Sequence, residues 1–174
     1  MLYVIGFKVT GVTYLDNIMY VVCGESSTIR LYNMDTYSPL DVVINVSGME
    51  HPRDMVISHE DHQLFIARYT CIWRVSVVDQ SYVKWLTTET TGHTFCRLSL
   101  TSRRLLVTSW WSRRLHQYDV TDRQLLRVVN LSEHVKYVSH AVETTRGTFV
   151  VGHKVTLHDE LQYAVSELFS VCHR

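Results

Sequence analysis

The hydrophobic pattern rises and falls three times across residues 51–79, HPRDMVISHEDHQLFIARYTCIWRVSVVD. The runs RDMVIS, QLFIAR and CIWRVSV are rich in β-branched and aromatic side chains, and HED and RYT separate them. Short runs of this kind, four to eight residues long and bounded by polar clusters, predict strands joined by tight turns. The pattern then returns along the chain. Asp35, Asp79 and Asp122 close the runs IRLYNMD, IWRVSVVD and LHQYDVTD, at spacings of 44 and 43 residues. Each is followed by a polar turn and a further strand-like run: TYSPLDVVINV, QSYVKWLTTE and RQLLRVVNLSE. Upstream, MYVVCG, LFIARY and LLVTSW recur in frame, preceded by GVTYL, RDMVIS and CRLSL. A fourth copy starts at SHAVE, continues with TFVVGH and, after an insertion at residues 154–160, reaches QYAVSEL.

Four short strands repeating every ~40–45 residues are the signature of a propeller blade. The chain therefore reads as an all-β protein, a β-propeller of about four four-stranded blades forming either a small ring or a partial propeller. Its single domain spans residues 1–174, with repeats at 9–49, 50–92, 93–135 and 136–174. Second-strand residues Tyr20, Val22, Leu64, Ile66, Leu106 and Val150, with third-strand Ile29, Trp73 and Val165, are expected to pack between blades. The fourth repeat has only FSVCHR beyond its third strand, whereas LYVIGF (2–7) precedes the first. In a closed ring that run would pair with residues 162–168 and cover an otherwise open edge.

VTGVTYLDNIMYVVCGESSTIRLYN and HPRDMVISHEDHQLFIARYTCIWRVS resemble NHL-type and YVTN-type repeats. The shared features are a hydrophobic first strand, a YV-type second strand and an I-x-x-hydrophobic third, over residues 9 to about 170. The Asp that ends the second strand in that family is replaced here by Cys23, Arg68 and Ser109, and the Trp-Asp pair and structural His of WD40 blades are absent. The resemblance implies a non-catalytic protein-binding platform. A runner-up in the same fold is a metal-dependent hydrolase of the gluconolactonase-like kind, for which Asp54 and Glu143, on or beside first strands, are the inward-pointing carboxylates.

Seventeen basic residues balance seventeen acidic ones, which argues against the broad basic surface that nucleic acid requires. No apolar run approaches the ~20 residues that span a bilayer, and MLYVIGFKVTG lacks a basic leader and a cleavage site. Cys23, Cys71, Cys96 and Cys172 are scattered without a C-x-x-C pair, as in buried, reduced cytoplasmic thiols. The sequons at Asn45 and Asn130 keep secretion open.

Propeller geometry gathers the loops between second and third strands, and the links between blades, at one end of the fold. The first set is GESS (24–27), RYTC (68–71), SWWSRR (109–114) and the region around His153. The second places His51, His93 and His134 at comparable junctions. Imidazoles there suit a metal or an anion, but divergence between blades usually leaves such residues too far apart to share one ion, and recurrence through shared repeat ancestry is the preferred reading. Trp110, Trp111, Arg113 and Arg114 carry interface chemistry, since two adjacent Trp cannot both face the same side of a strand. Arg68 and Tyr69 complete the expected binding surface for a protein partner. No cofactor is expected, and self-association is the further expectation if the propeller is incomplete. SHEDHQ (58–63) is one residue short of the helical H-E-x-x-H zinc motif and reads as a solvated hairpin turn.

Overall fold

The computed structural model describes residues 8–109, 112–133, 135–157 and 160–168. They divide into two compact units, Met1–Thr94 and Phe95–Arg174. The first unit holds two antiparallel meanders. One is β1 (Val9–Leu15), β2 (Ile18–Cys23), β3 (Thr28–Asn33) and β4 (Pro39–Asn45), paired in chain order. The other is β5 (Asp54–Ser58), β6 (Gln63–Arg68), β7 (Cys71–Ser76) and β8 (Tyr82–Thr87), followed by the single turn α1 (Thr88–Thr91). The second unit holds β9 (Arg97–Thr101), β10 (Arg104–Thr108), β11 (Arg114–Asp119) and β12 (Leu125–Asn130). Its other sheet has three described strands, β13 (Lys136–Glu143), β14 (Phe149–Leu157) and β15 (Glu160–Leu168). Residues 2–7, the expected closing strand, lie outside the described residues.

The turn chemistry repeats more strictly than the aspartates that first marked the period. Asn33, Ser76 and Asp119 end the third strands at intervals of 43 residues. The Asn33 Oδ1 accepts the backbone N–H groups of Asp35 at 2.9 Å and Thr36 at 3.0 Å. Ser76 Oγ accepts from Asp79 N at 3.4 Å, and Asp119 Oδ1 accepts from Thr121 N at 2.7 Å. Short polar side chains at these positions cap the turn with their own oxygen. Within the second of these turns the Ser76 and Ser81 hydroxyls hold the Asp79 carboxyl down to about 2, so its ionised form serves the turn over the whole neutral range. With a folded pKa lowered in this way, the contribution is complete above the ordinary carboxylate pKa and fades as pH falls towards 2.

Four residues further on, Tyr37, Gln80 and Arg123 have φ of 54°, 59° and 66°. Left-handed backbone costs a side-chain-bearing residue about 1–2 kcal/mol, and glycine avoids it at a smaller entropic cost. Gln80→Gly is therefore expected to raise stability by about 0.5–1 kcal/mol, read as a higher urea midpoint at unchanged slope.

Strand faces set the packing inside each unit. In the first, Leu15, Tyr20, Val22, Ile29 and Leu31 meet Met55, Ile57, Leu64, Ile66, Trp73 and Val75 in one buried cluster. β1 approaches β5 so closely that a Cβ on Gly11 would sit 2.8 Å from Met55 N and 3.0 Å from its Cβ. Because the obstacle is backbone, Gly11→Ala must part the two sheets. It should cost about 1–3 kcal/mol, as overpacking does; a thermal melt indistinguishable from the parent would show that the sheets part freely. In the second unit Leu106 and Leu115 pack against Val138, Ala141, Phe149 and Val151.

The fourth repeat departs from its expected frame. Val165 is 74% exposed and Val150 only half-buried, whereas Phe149 and Val151 are fully buried. The pairing Gly152↔Val165 and Val150↔Glu167 places Val150 and Val165 on the same face of the sheet, away from the cluster. A one-residue difference reverses every side chain in a strand. Of the insertion at residues 154–160, the described residues 154–157 and 160 are strand. They extend the β14–β15 hairpin, with Val155↔Gln162 and Leu157↔Glu160 still paired. His153, expected near a loop, consequently lies within β14, 2% exposed, with Nε2 2.8 Å from Ser166 Oγ.

Candidate functional site

The contacts that assemble the loop end of the first unit begin with its backbone. Arg53 N donates to Ala67 O near the end of β6 at 2.8 Å, and Thr88 N to Thr70 O in the β6–β7 turn at 2.9 Å. His51, at φ 53°, turns its ring so that Nδ1 lies 2.9 Å from Gly24 O in the β2–β3 loop. Arg68, the last residue of β6, donates Nη1 to Gly48 O at 3.4 Å and pairs loosely with Glu50 at 3.7 Å. Tyr69 lies under the Arg53 guanidinium, 4.2 Å from ring centroid to Cζ. The result is an arginine–tyrosine stack beside a second arginine whose side chain keeps 28% exposure and whose partner Glu50 is 70% exposed. Exposed pairs of this kind hold each other weakly, so the Arg68 guanidinium is available for exchange to another carboxylate. Arg53 was not among the sequence candidates, because nothing in the repeat marks its position.

His93 is half-buried and its Nδ1 meets Thr91 O at 3.0 Å. Burial pushes its imidazole below the usual range, against the opposing pull of the Thr91 carbonyl. A neutral ring at pH 7 is poorly suited to an anion. His51 and His93 thus sit in the same unit with separate backbone partners. Trp110, Trp111 and His134 lie outside the described residues. In the second unit Arg113 and Arg114 are both exposed. Arg113 fixes its position by accepting Leu131 N through its carbonyl at 2.8 Å, which leaves the guanidinium free of that task.

The two carboxylates considered for a metal differ in their surroundings. Asp54 starts β5 and is half-buried. Glu143 ends β13 with its side chain 1% exposed. Its Oε1 pairs with Arg127 Nη2 and lies 3.3 Å from Arg104 Nη1, while Oε2 accepts Gln117 Nε2 at 2.8 Å. Arg127 also donates Nε to Gln117 Oε1 at 2.7 Å and covers the Phe149 ring at 4.6 Å. The group joins β10, β11 and β12 to the neighbouring sheet as a clamp around the buried Glu143 carboxylate and Gln117 amide, with both arginines partly exposed. Two guanidinium groups already neutralise this carboxylate, and among the described residues no three His, Cys, Asp or Glu side chains stand close enough to share a metal ion. SHEDHQ forms the β5–β6 turn, with His59 and His62 exposed and the Asp61 carboxylate accepting from Ser58 Oγ at 2.9 Å. Cys23, Cys71 and Cys96 are buried free thiols, and burial pushes the first two above the usual thiol range. No helix among the described residues is long and apolar enough to cross a membrane.

Solved structures share this architecture. The Kuenenia stuttgartiensis hydrazine synthase aligns over 95% of this chain and 49% of its own, with TM-score 0.69 and 8% identity. The WD40 β-propeller domain of Doa1 aligns over 91% of this chain and 54% of its own, with TM-score 0.64 and 17% identity. The fold is a β-propeller. The β-propeller domain of Myceliophteria thermophila Cps50 (Swd1) agrees, at TM-score 0.62 and 12% identity, over 94% of this chain and 58% of its own. The chain spans about half the length of each of these. At such identities they establish the fold alone, and a fold does not fix a function. No protein-family profile matches the sequence, and no curated protein is detectably similar to it.

Proposed function

We propose that this propeller is a non-catalytic protein-binding platform of NHL-like character, with its contact surface at the loop end of the first unit. The observation that carries this reading is the Arg53–Tyr69 stack beside Arg68, held by the backbone bonds Arg53 N to Ala67 O and Thr88 N to Thr70 O and by the Arg68 side chain on Gly48 O. Arginine and tyrosine supply the rigid area and bidentate donors that dominate protein interfaces. They are pre-positioned here, so little ordering entropy remains to oppose binding. WD40 propellers among the similar structures are in keeping with an interaction role. Arg113 and Arg114, with Trp110 and Trp111, extend the proposal to the second unit, and His51 shapes the junction. The compartment consistent with three buried free thiols is the cytoplasm.

An affinity capture comparing the parent with Arg68→Ala/Tyr69→Ala tests the reading, quantified by mass spectrometry at matched protein stability. Selective loss of the same captured proteins from the variant is expected. Equal recovery from both, with unchanged melting temperature, would sink the proposal.

A further inference from the structure

The charge of the first unit is divided between the two ends of its strands. The turns β1–β2, β3–β4, β5–β6 and β7–β8 carry Asp16, Asp35, Glu60, Asp61 and Asp79 and no Lys or Arg. All five are exposed, and they are half of the ten acidic residues that outnumber six basic ones in residues 1–94. The loop end holds Lys8, Arg53 and Arg68 against Glu25, Glu50, Asp54 and Glu89, close to balance. Lys8 belongs there because its carbonyl accepts Gly24 N in the β2–β3 loop at 2.8 Å. An approaching acidic segment is therefore repelled by the turns and meets basic groups at the loops. At that end the Arg68 guanidinium is held through Nη1 on Gly48 O at 3.4 Å, while Nη2 stands 3.7 Å from Glu50 Oε2. The second separation is too long for a hydrogen bond. Glu50, its side chain 70% exposed, approaches the guanidinium fork without closing on it.

We infer that the loop end takes an acidic peptide segment, one of whose aspartate or glutamate carboxylates displaces Glu50 from Arg68. The inference rests on the loop end being the binding surface and names the chemistry of its partner. Glu50 is then a resident competitor, which occupies the guanidinium in the free protein and leaves when the partner arrives. Its departure costs little, because exposed ion pairs are weak and the released carboxylate returns to water. The arriving carboxylate gains more, since it can meet Arg68 in the two-pronged geometry at which charge-assisted hydrogen bonds close. Tyr69, the next residue, is already fixed beneath Arg53, so the backbone that carries Arg68 needs little further ordering.

Fluorescence anisotropy with two dye-labelled, end-blocked twelve-residue peptides tests it, one alternating glutamate with glycine and the other glutamine with glycine. At low salt the parent should bind the acidic peptide at least about tenfold more tightly than the neutral one. Glu50→Gln removes the competitor and should tighten that binding by about two- to fivefold. Arg68→Ala should weaken it by at least about tenfold, and Arg68→Lys, which keeps the charge but loses the fork, should fall in between. Asp16→Asn removes an equal charge at the turn end and should stay within about twofold of the parent. Should Arg68→Ala fail to fold, Glu50→Gln and Arg68→Lys decide the question. Equal binding of the two peptides overturns the inference. So does a Glu50→Gln variant that binds no more tightly than the parent, or an Asp16→Asn variant that tightens as much as Glu50→Gln. A neutral peptide with a free C-terminal carboxylate that binds as well as the acidic one would assign recognition to chain ends and also overturn it. Loss of captured proteins from Arg68→Ala/Tyr69→Ala, with no preference for the acidic peptide, would keep the loop-end surface and reject this partner class.

Discussion

Glu143→Ala is expected to destabilise the protein by about 3–5 kcal/mol, the cost of breaking a buried charge cluster by removing one partner. The loss is large because of what remains. Arg127, its side chain 27% exposed and stacked on Phe149, would face Gln117 without the carboxylate that neutralises it. Gln117 Nε2, in a residue only 2% exposed, would lose its acceptor. Glu143→Gln keeps an acceptor oxygen but removes the charge, so its cost should fall between alanine and parent. Equilibrium urea denaturation measures both. A Glu143→Ala penalty below about 1 kcal/mol would place the cluster in the class of solvated surface pairs, contrary to its burial. A double-mutant cycle with Arg127→Ala isolates the direct coupling from the cost of stranding the other group.

Trp73→Ala should cost about 3–5 kcal/mol, the range for truncating a buried tryptophan. The ring is 5% exposed, pairs across the sheet with Ile66, and meets the Tyr82 ring edge-on at 5.8 Å. Lys84 lies over it at 5.5 Å, and the blade junction at Gly48 closes over its far edge, 3.9 Å from where a Cβ would stand. No neighbouring side chain is free to refill the cavity, since Leu64, Ile66 and Ile29 are themselves fully buried. Chemical denaturation would check this. A penalty under about 1 kcal/mol would mean that β7 is displaced by one residue and its outward face was tested instead.

Blade architecture was legible in residues 51–79 because β5, β6 and β7 are short runs rich in β-branched and aromatic residues that end at polar turns. The 43-residue interval was legible as well, although Asp79 and its counterparts mark the turns less sharply than Asn33, Ser76 and Asp119. Tyr20, Val22, Leu64, Ile66, Leu106, Ile29 and Trp73 were all expected in the core and are all buried. Val165 escaped the reading because β14 and β15 each run to nine residues, and both faces of QYAVSEL contain apolar side chains. Periodicity then assigns no inner side. The helix α1 escaped it because one turn of TETT shows no repeat to detect.

The candidate surface divides in the same way. Sequence placed Arg68, Tyr69 and His51 at connections on one end of the blades, because strand order fixes which loops share an end. It gave no sign of Arg53 over Tyr69, since that contact joins residues sixteen apart through the close approach of two connections. Glu143 shows the difference most clearly. Its position on a first strand was readable, and from that a metal ligand was a fair inference. Only tertiary packing brought Arg104, Arg127 and Gln117 from three other strands to its oxygens. Local pattern determines strands, turns and their period because those depend on dihedral preference and alternation within a few residues. The partners of a buried charge depend on where separate strands converge, which no spacing along the chain encodes.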